Sequence, residues 1–179
     1  MKKVLIFPAA FQAVKNYGGY EGCDIWLKSF SRKNIPAADY YVGHSGGVNF
    51  ILSNYDFLHG GKFIFINPQI EKKNIAVLFR NWIRFFFSEG IKKEKIVPIK
   101  NRGHGIKSVW KLLKVDVWKI IQKIPKGDLI IVRGVKDDYF RDKKSAEVIK
   151  NYGIKLVEVE AGHDWNDEIA RAVRALVYS

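Results

Sequence analysis

A chain of 179 residues, 47% apolar and 14% aromatic, is long enough to bury one core without disulfides or metals, which excludes a disordered or staple-dependent class. Its one cysteine, Cys23, excludes an intrachain disulfide and a CxxC metal pair and makes a reducing cytoplasm the expected compartment. The net charge of +13 is concentrated: residues 71–127 hold 15 Lys/Arg against 4 Asp/Glu, whereas the rest of the chain holds 16 against 14.

Met1-Lys2-Lys3 ahead of an apolar run imitates the head of a secretory leader, but Pro8 interrupts that run far short of the roughly 7–15 residues such a leader needs. The segment reads instead as a first strand, Val4–Phe7. Further short runs rich in Val, Ile, Phe or Tyr follow at Asp39–Gly43, Lys62–Asn67, Leu129–Gly134 and Lys155–Glu160, the pattern of strands buried on both faces of a parallel sheet. Helix-length connections lie between them at Glu21–Arg32, Gly47–Tyr55, 70–127 and Lys143–Asn151, where Gly153 suits a helix stop. A closing helix is expected over Asp164–Leu176, capped by Asn166 or Asp167, with Ile169, Val173 and Leu176 at helical spacing. The alternation predicts one α/β domain over residues 1–179: a three-layer sandwich around a mainly parallel sheet of about five strands. Residues 70–127 break the rhythm. Two basic amphipathic stretches, Val77–Phe87 and Val109–Ile121, are joined by a loop from Ser88 to Gly105, too long for a simple crossover and read as an inserted helical cap. No window approaches the ~18 uncharged apolar residues of a membrane span.

The chemistry concentrates at Gly43-His44-Ser45-Gly46-Gly47, directly after a strand and before a helix-compatible stretch. Small residues two before and two after a serine let the chain turn sharply enough to present its hydroxyl at the end of a sheet, the setting of a nucleophile elbow. Serine needs an adjacent base, and His163, in Gly162-His163 after the last strand, is the candidate. A carboxylate must orient that imidazole, and Asp137 and Asp138, after the fourth strand, compete for the role. The backbone N–H of Gly46 is placed to serve an oxyanion.

With Phe7-Pro8 at the end of the first strand and the turn Gly134-Val135-Lys136-Asp137-Asp138, these motifs resemble small serine hydrolases of the α/β-hydrolase superfamily, most of all the compact group that includes retinoblastoma-binding protein 9. The resemblance covers most of the chain outside 70–127 and implies a trimmed α/β-hydrolase fold whose cap roofs the serine. It implies Asp138 as the triad acid, because Asp138 stands seven residues before Ser145-Ala146-Glu147 as the acid does in relatives. It also implies Ala10 as the second oxyanion donor, although relatives place glycine in that loop where this chain has Pro8-Ala9-Ala10-Phe11. A strand and helix that relatives carry before the elbow strand are missing, so one sheet edge should be trimmed. Most helices should then cover one face, leaving the closing helix, the cap or a partner subunit in a homo-oligomer for the other.

The expected function is hydrolysis of a small carboxylic ester or thioester through an acyl-enzyme, with Ser45, Asp138 and His163 as triad and no metal or organic cofactor. The competing reading is a catalytically idle binding protein that keeps the fold and holds an anionic partner on the basic cap. His44 should pack beneath the elbow, and His59 and His104 read as loop or surface residues. Trp82, Phe85, Phe86, Trp110 and Trp118 are read first as packing residues, some lining an acyl pocket. Nucleic acid is not an expected partner, since a basic amphipathic helix is usually a solvated face over a core stripe, whereas the basic cap could touch an anionic membrane peripherally.

Overall fold

The computed structural model describes residues 2–58, 60–71, 74–88, 96–140 and 143–179; His59 and the middle of the expected Ser88–Gly105 loop lie outside them. Six parallel strands form one open sheet in the order β2-β1-β3-β4-β5-β6, where β1 is Val4–Phe7, β2 Glu21–Gly22, β3 Tyr40–His44, β4 Lys62–Ile66, β5 Leu129–Gly134 and β6 Lys155–Val159. Five of these match the expected runs to within a residue at either end.

The sixth, β2, corrects the reading of Glu21–Arg32 as a helix. Glu21 and Gly22 pair with Leu5 and Ile6, and the chain then proceeds through turns. The trimmed edge is therefore a two-residue strand rather than a bare one. Cys23, Ile25 and Trp26 are buried against the sheet from these turns, with the Trp26 indole N–H donating to the Pro8 carbonyl at 3.2 Å.

Alternate strand residues feed two cores. Leu5, Phe7, Tyr41, Phe63, Phe65, Leu129 and Ile131 face one side and are covered by α1 (Gly46–Ser53), α3 (Ile99–Leu112), α4 (Val117–Ile121) and α5 (Lys143–Tyr152) through Ile51, Leu112, Ile121 and Ile149. Val4, Ile6, Val42, Ile64, Ile66 and Val132 face the other, covered by α6 (Asp167–Tyr178) with Ile169, Val173 and Val177, together with Tyr17 and Trp165. The closing helix is thus the helix of the second face, and the Asn166 side chain caps it by accepting the Ile169 N–H at 3.0 Å.

Among the described residues of 70–127 the α-helices are α2 (Ile75–Ser88), α3 and α4, so helix begins at Ile99 where a loop was expected to run on to Gly105. Gly103 and Gly105 hid it, since each weakens a helix by about 1 kcal/mol relative to Ala. Asn49 of α1 donates to the Leu112 carbonyl at 3.1 Å and Asn101 accepts the Lys28 N–H at 3.2 Å, which tie α3 to the body at both ends. Asn81 on α2 donates to the Tyr139 carbonyl at 2.7 Å, joining α2 to the turn after β5. Among the described residues no helix is long and apolar enough to cross a membrane.

Candidate active site

The turn between β3 and α1 puts Ser45 at φ 49° and ψ −111°, a conformation sparsely populated by residues other than glycine. Such positions cost on the order of 1–3 kcal/mol and persist where the surroundings enforce them. Here Ser45 N–H donates to the Ile66 carbonyl at 2.9 Å, and the flanking glycines are sterically required: a Cβ on Gly47 would lie 2.0 Å from the Phe7 carbonyl oxygen, and one on Gly43 2.9 Å from the Val48 Cα.

The Ser45 hydroxyl lies 3.0 Å from His163 Nε2, and His163 Nδ1 lies 2.6 Å from Asp137 Oδ2. The structure therefore brings together Ser45 and His163 as expected, but with Asp137 in place of Asp138. Asp137 is buried, whereas Asp138, the next residue of the turn, is exposed. The second oxygen of Asp137 accepts the N–H groups of Tyr139 (3.1 Å) and Phe140 (3.0 Å), which fold the turn around the carboxylate and direct the following side chain outward. Burial alone would raise the Asp137 carboxyl, but the His163 charge and hydrogen bond, with the two N–H donors, outweigh it and hold the group below the ordinary carboxylate range. The rings of Phe85 and Phe140 pack at 5.4 and 4.4 Å from the imidazole.

Beneath the elbow, His44 Nε2 lies 2.8 Å from the His163 carbonyl. A carbonyl only accepts, so Nε2 carries the proton and Nδ1 faces the Tyr17 hydroxyl at 2.8 Å. Burial, reinforced by the nearby His163 charge, lowers the His44 pKa to about 4, so this imidazole is a neutral strut. Asn67, at the end of β4 with φ 46°, was not singled out by the sequence. Its Nδ2 donates to the carbonyls of Gly162 (3.2 Å) and His163 (2.9 Å), and its Oδ1 accepts the Gly134 N–H at 2.8 Å. One side chain thus links the loops that carry the base and the acid. The available signal was an asparagine directly after a strand, a residue type enriched at positive φ.

Gly46 is the first residue of α1, where a backbone N–H has no intrahelical acceptor. A Cβ on Gly46 would lie 3.2 Å from the Ala10 nitrogen, so the two residues expected to supply oxyanion donors are neighbours, and both line the cavity with Ser45. Ala10 keeps a negative φ, and the strain of this glycine-free loop falls on Phe11 at φ 64°. Phe11 is clamped there: its carbonyl accepts the Val97 N–H at 2.8 Å, its ring lies 6.1 Å from Trp26 and 6.0 Å from Trp82, and Gly105 of α3 leaves room for its edge.

Ser45 and His163 open into a cavity of about 630 Å³ between the sheet end and the cap. Its wall is Trp26, Leu78, Trp82, Phe85, Ile106, Val109 and Trp110 with other apolar neighbours, and its polar members are Gln12, Asn49, Asn67 and Gln69; among the described residues no Asp, Glu, Lys or Arg lines it. Trp118 does not, packing instead on Tyr152 at 5.2 Å. His104 lies on exposed α3.

This combination of open parallel sheet, elbow after the strand next to β1, and cap after the following strand is the α/β-hydrolase fold, and solved structures agree. A deformylase acting on N-formylmaleamic acid, from Pseudomonas putida, superposes with a TM-score of 0.62 at 10% identity, covering 97% of this chain and 91% of its own. BioG from Haemophilus influenzae gives 0.60 at 11% identity, over 89% and 87%. The Vlm2 thioesterase domain gives 0.54 at 13% identity, over 98% and 91%. At these identities the likeness is one of fold. No family model matches the sequence, and no curated protein matches it.

Proposed function

We propose that the protein is a serine hydrolase that cleaves a carboxylic ester or thioester through an acyl-enzyme. The observation that carries this is the chain Ser45 Oγ, His163, Asp137 at 3.0 and 2.6 Å, opening into the cavity. Ser45 attacks the acyl carbon as His163 Nε2 takes its proton, and Asp137 stabilises the imidazolium. The amides of Gly46 and Ala10 receive the oxyanion. Collapse returns the proton to the leaving alcohol or thiol, and water then repeats the sequence on the acyl-enzyme. The apolar side chains of the described wall suit an apolar acyl group. The sequence motifs support a place near the retinoblastoma-binding protein 9 group within the fold. A fluorophosphonate tests the reading: it should modify Ser45 in the native protein and leave Ser45→Ala untouched, and undiminished labelling of that variant would remove the elbow assignment.

A further inference from the structure

The cap carries its charge and its exposed apolar surface on the same helices. Among the described residues, six of the nine exposed large apolar side chains lie on α2 and α3: Val77, Phe79, Phe87, Ile99, Ile106 and Trp110. On α3, Ile99, Ile106 and Trp110 follow at spacings of seven and four, one stripe of the helix, and remain 76%, 50% and 52% exposed. The residue after each is an exposed lysine, Lys100, Lys107 and Lys111, about 100° further round, so the stripe runs beside a row of cations. α2 repeats the composition with exposed Phe79 and Phe87 near Arg80 and Arg84. Neither helix contains an acidic residue.

The same surface holds the mouth of the cavity. Phe79, Ile106 and Trp110 line the cavity and are also at least half exposed, so the cavity reaches the surface beside these side chains of α2 and α3. A second copy of the chain suits this face poorly, because a two-fold contact would set these cations against themselves with no carboxylate on either helix. A surface that is anionic and apolar at once complements it: lysines reach the headgroups while the apolar stripe enters the boundary layer.

We propose that α2 and α3 dock the protein on an anionic lipid surface, with the cavity mouth turned toward the acyl chains so that substrate enters from the interface. The docking stands on this surface alone; delivery of an ester to Ser45 rests on the hydrolase reading above.

The test uses vesicles of phosphatidylcholine alone and of phosphatidylcholine with phosphatidylserine in equal parts. Wild type and Ser45→Ala should both co-sediment with the anionic vesicles, stay in solution with the neutral ones, and release as salt shortens the Debye length below about 10 Å. The tryptophan emission of the bound protein should shift to the blue, and that shift should shrink in Trp110→Phe. Reversing Lys100, Lys107 and Lys111 together to Glu should weaken partitioning by roughly a hundredfold or more, at about fivefold for each cation lost. Turnover of a short water-soluble ester should be unchanged in that triple variant, since none of the three lysines lines the cavity. No sedimentation at low salt, equal binding to neutral vesicles, or full binding by the triple variant would overturn the docking. So would self-association that Trp110→Ser abolishes, which would assign the face to a second copy. An esterase that ignores vesicles refutes the docking and leaves the hydrolase reading intact, whereas docking by a protein inert to fluorophosphonate does the reverse.

Discussion

Asp137 and Asp138 are adjacent and chemically identical, and only the turn separates their environments. Asp137→Asn should lower kcat by about 10⁴, the loss seen when a triad aspartate elsewhere is replaced by its amide, while Asp138→Asn should stay within a fewfold of wild type. A large loss in Asp138→Asn, measured with a nitrophenyl ester, would return the role to the exposed residue. Spacing to Ser145-Ala146-Glu147 could not reveal the choice, because the inward direction of Asp137 is fixed by the Tyr139 and Phe140 N–H groups that close on it. His44 gives a second test. Its folded pKa, about 4, lies below the ordinary histidine value, so between those values the unfolded chain binds a proton that the folded one rejects. Stability is therefore fully present above about pH 6.5 and lost as pH falls toward 4, by about 3 kcal/mol. Asp137, held below its ordinary value, pushes the same way at the acid end. Urea midpoints of wild type should fall steeply over this range, and His44→Gln should flatten the profile even if it lowers the plateau.

At the scale of elements, the readable features were those with a long-enough repeat. Five strands and the closing helix each bury a regular face and were legible as such; β2 is two residues long and has no repeat to read. The start of α3 was obscured by glycines whose function is packing: a Cβ on Gly105 would sit 2.8 Å from the ring of Phe11. That contact yields a prediction about the oxyanion loop. Gly105→Ala gains up to about 1 kcal/mol of helix propensity but overpacks a ring held between Trp26 and Trp82, at a cost of about 1–3 kcal/mol. The displaced ring belongs to Phe11, which adjoins Ala10. The variant should therefore remain folded, with a modest net loss of stability, while kcat falls about tenfold or more and KM changes little, as expected when an oxyanion donor is misplaced. Wild-type kcat in a folded Gly105→Ala protein would uncouple the cap from the loop.

At the scale of the molecule, the sequence announced the basic segment 71–127 through its charge. It could not announce the cavity, whose wall draws on the loop after β1, the turns after β2, α1, the loop after β4, α2, α3, the acid turn and the loop after β6, segments from Ala9 to His163 that no local pattern relates. The wall defines what the cavity should accept. Each methylene moved from water to an apolar surface contributes about 0.8 kcal/mol, so a homologous series of nitrophenyl esters should gain about fourfold in kcat/KM per added carbon until the 630 Å³ is filled, and then level off. An acyl chain ending in a carboxylate should forfeit that gain, because among the described residues no Lys or Arg lines the cavity to receive the charge. A flat series, or a preference for the carboxylated chain, would mean that the acyl group lies outside this cavity and that the aromatic wall serves only to hold the cap in place.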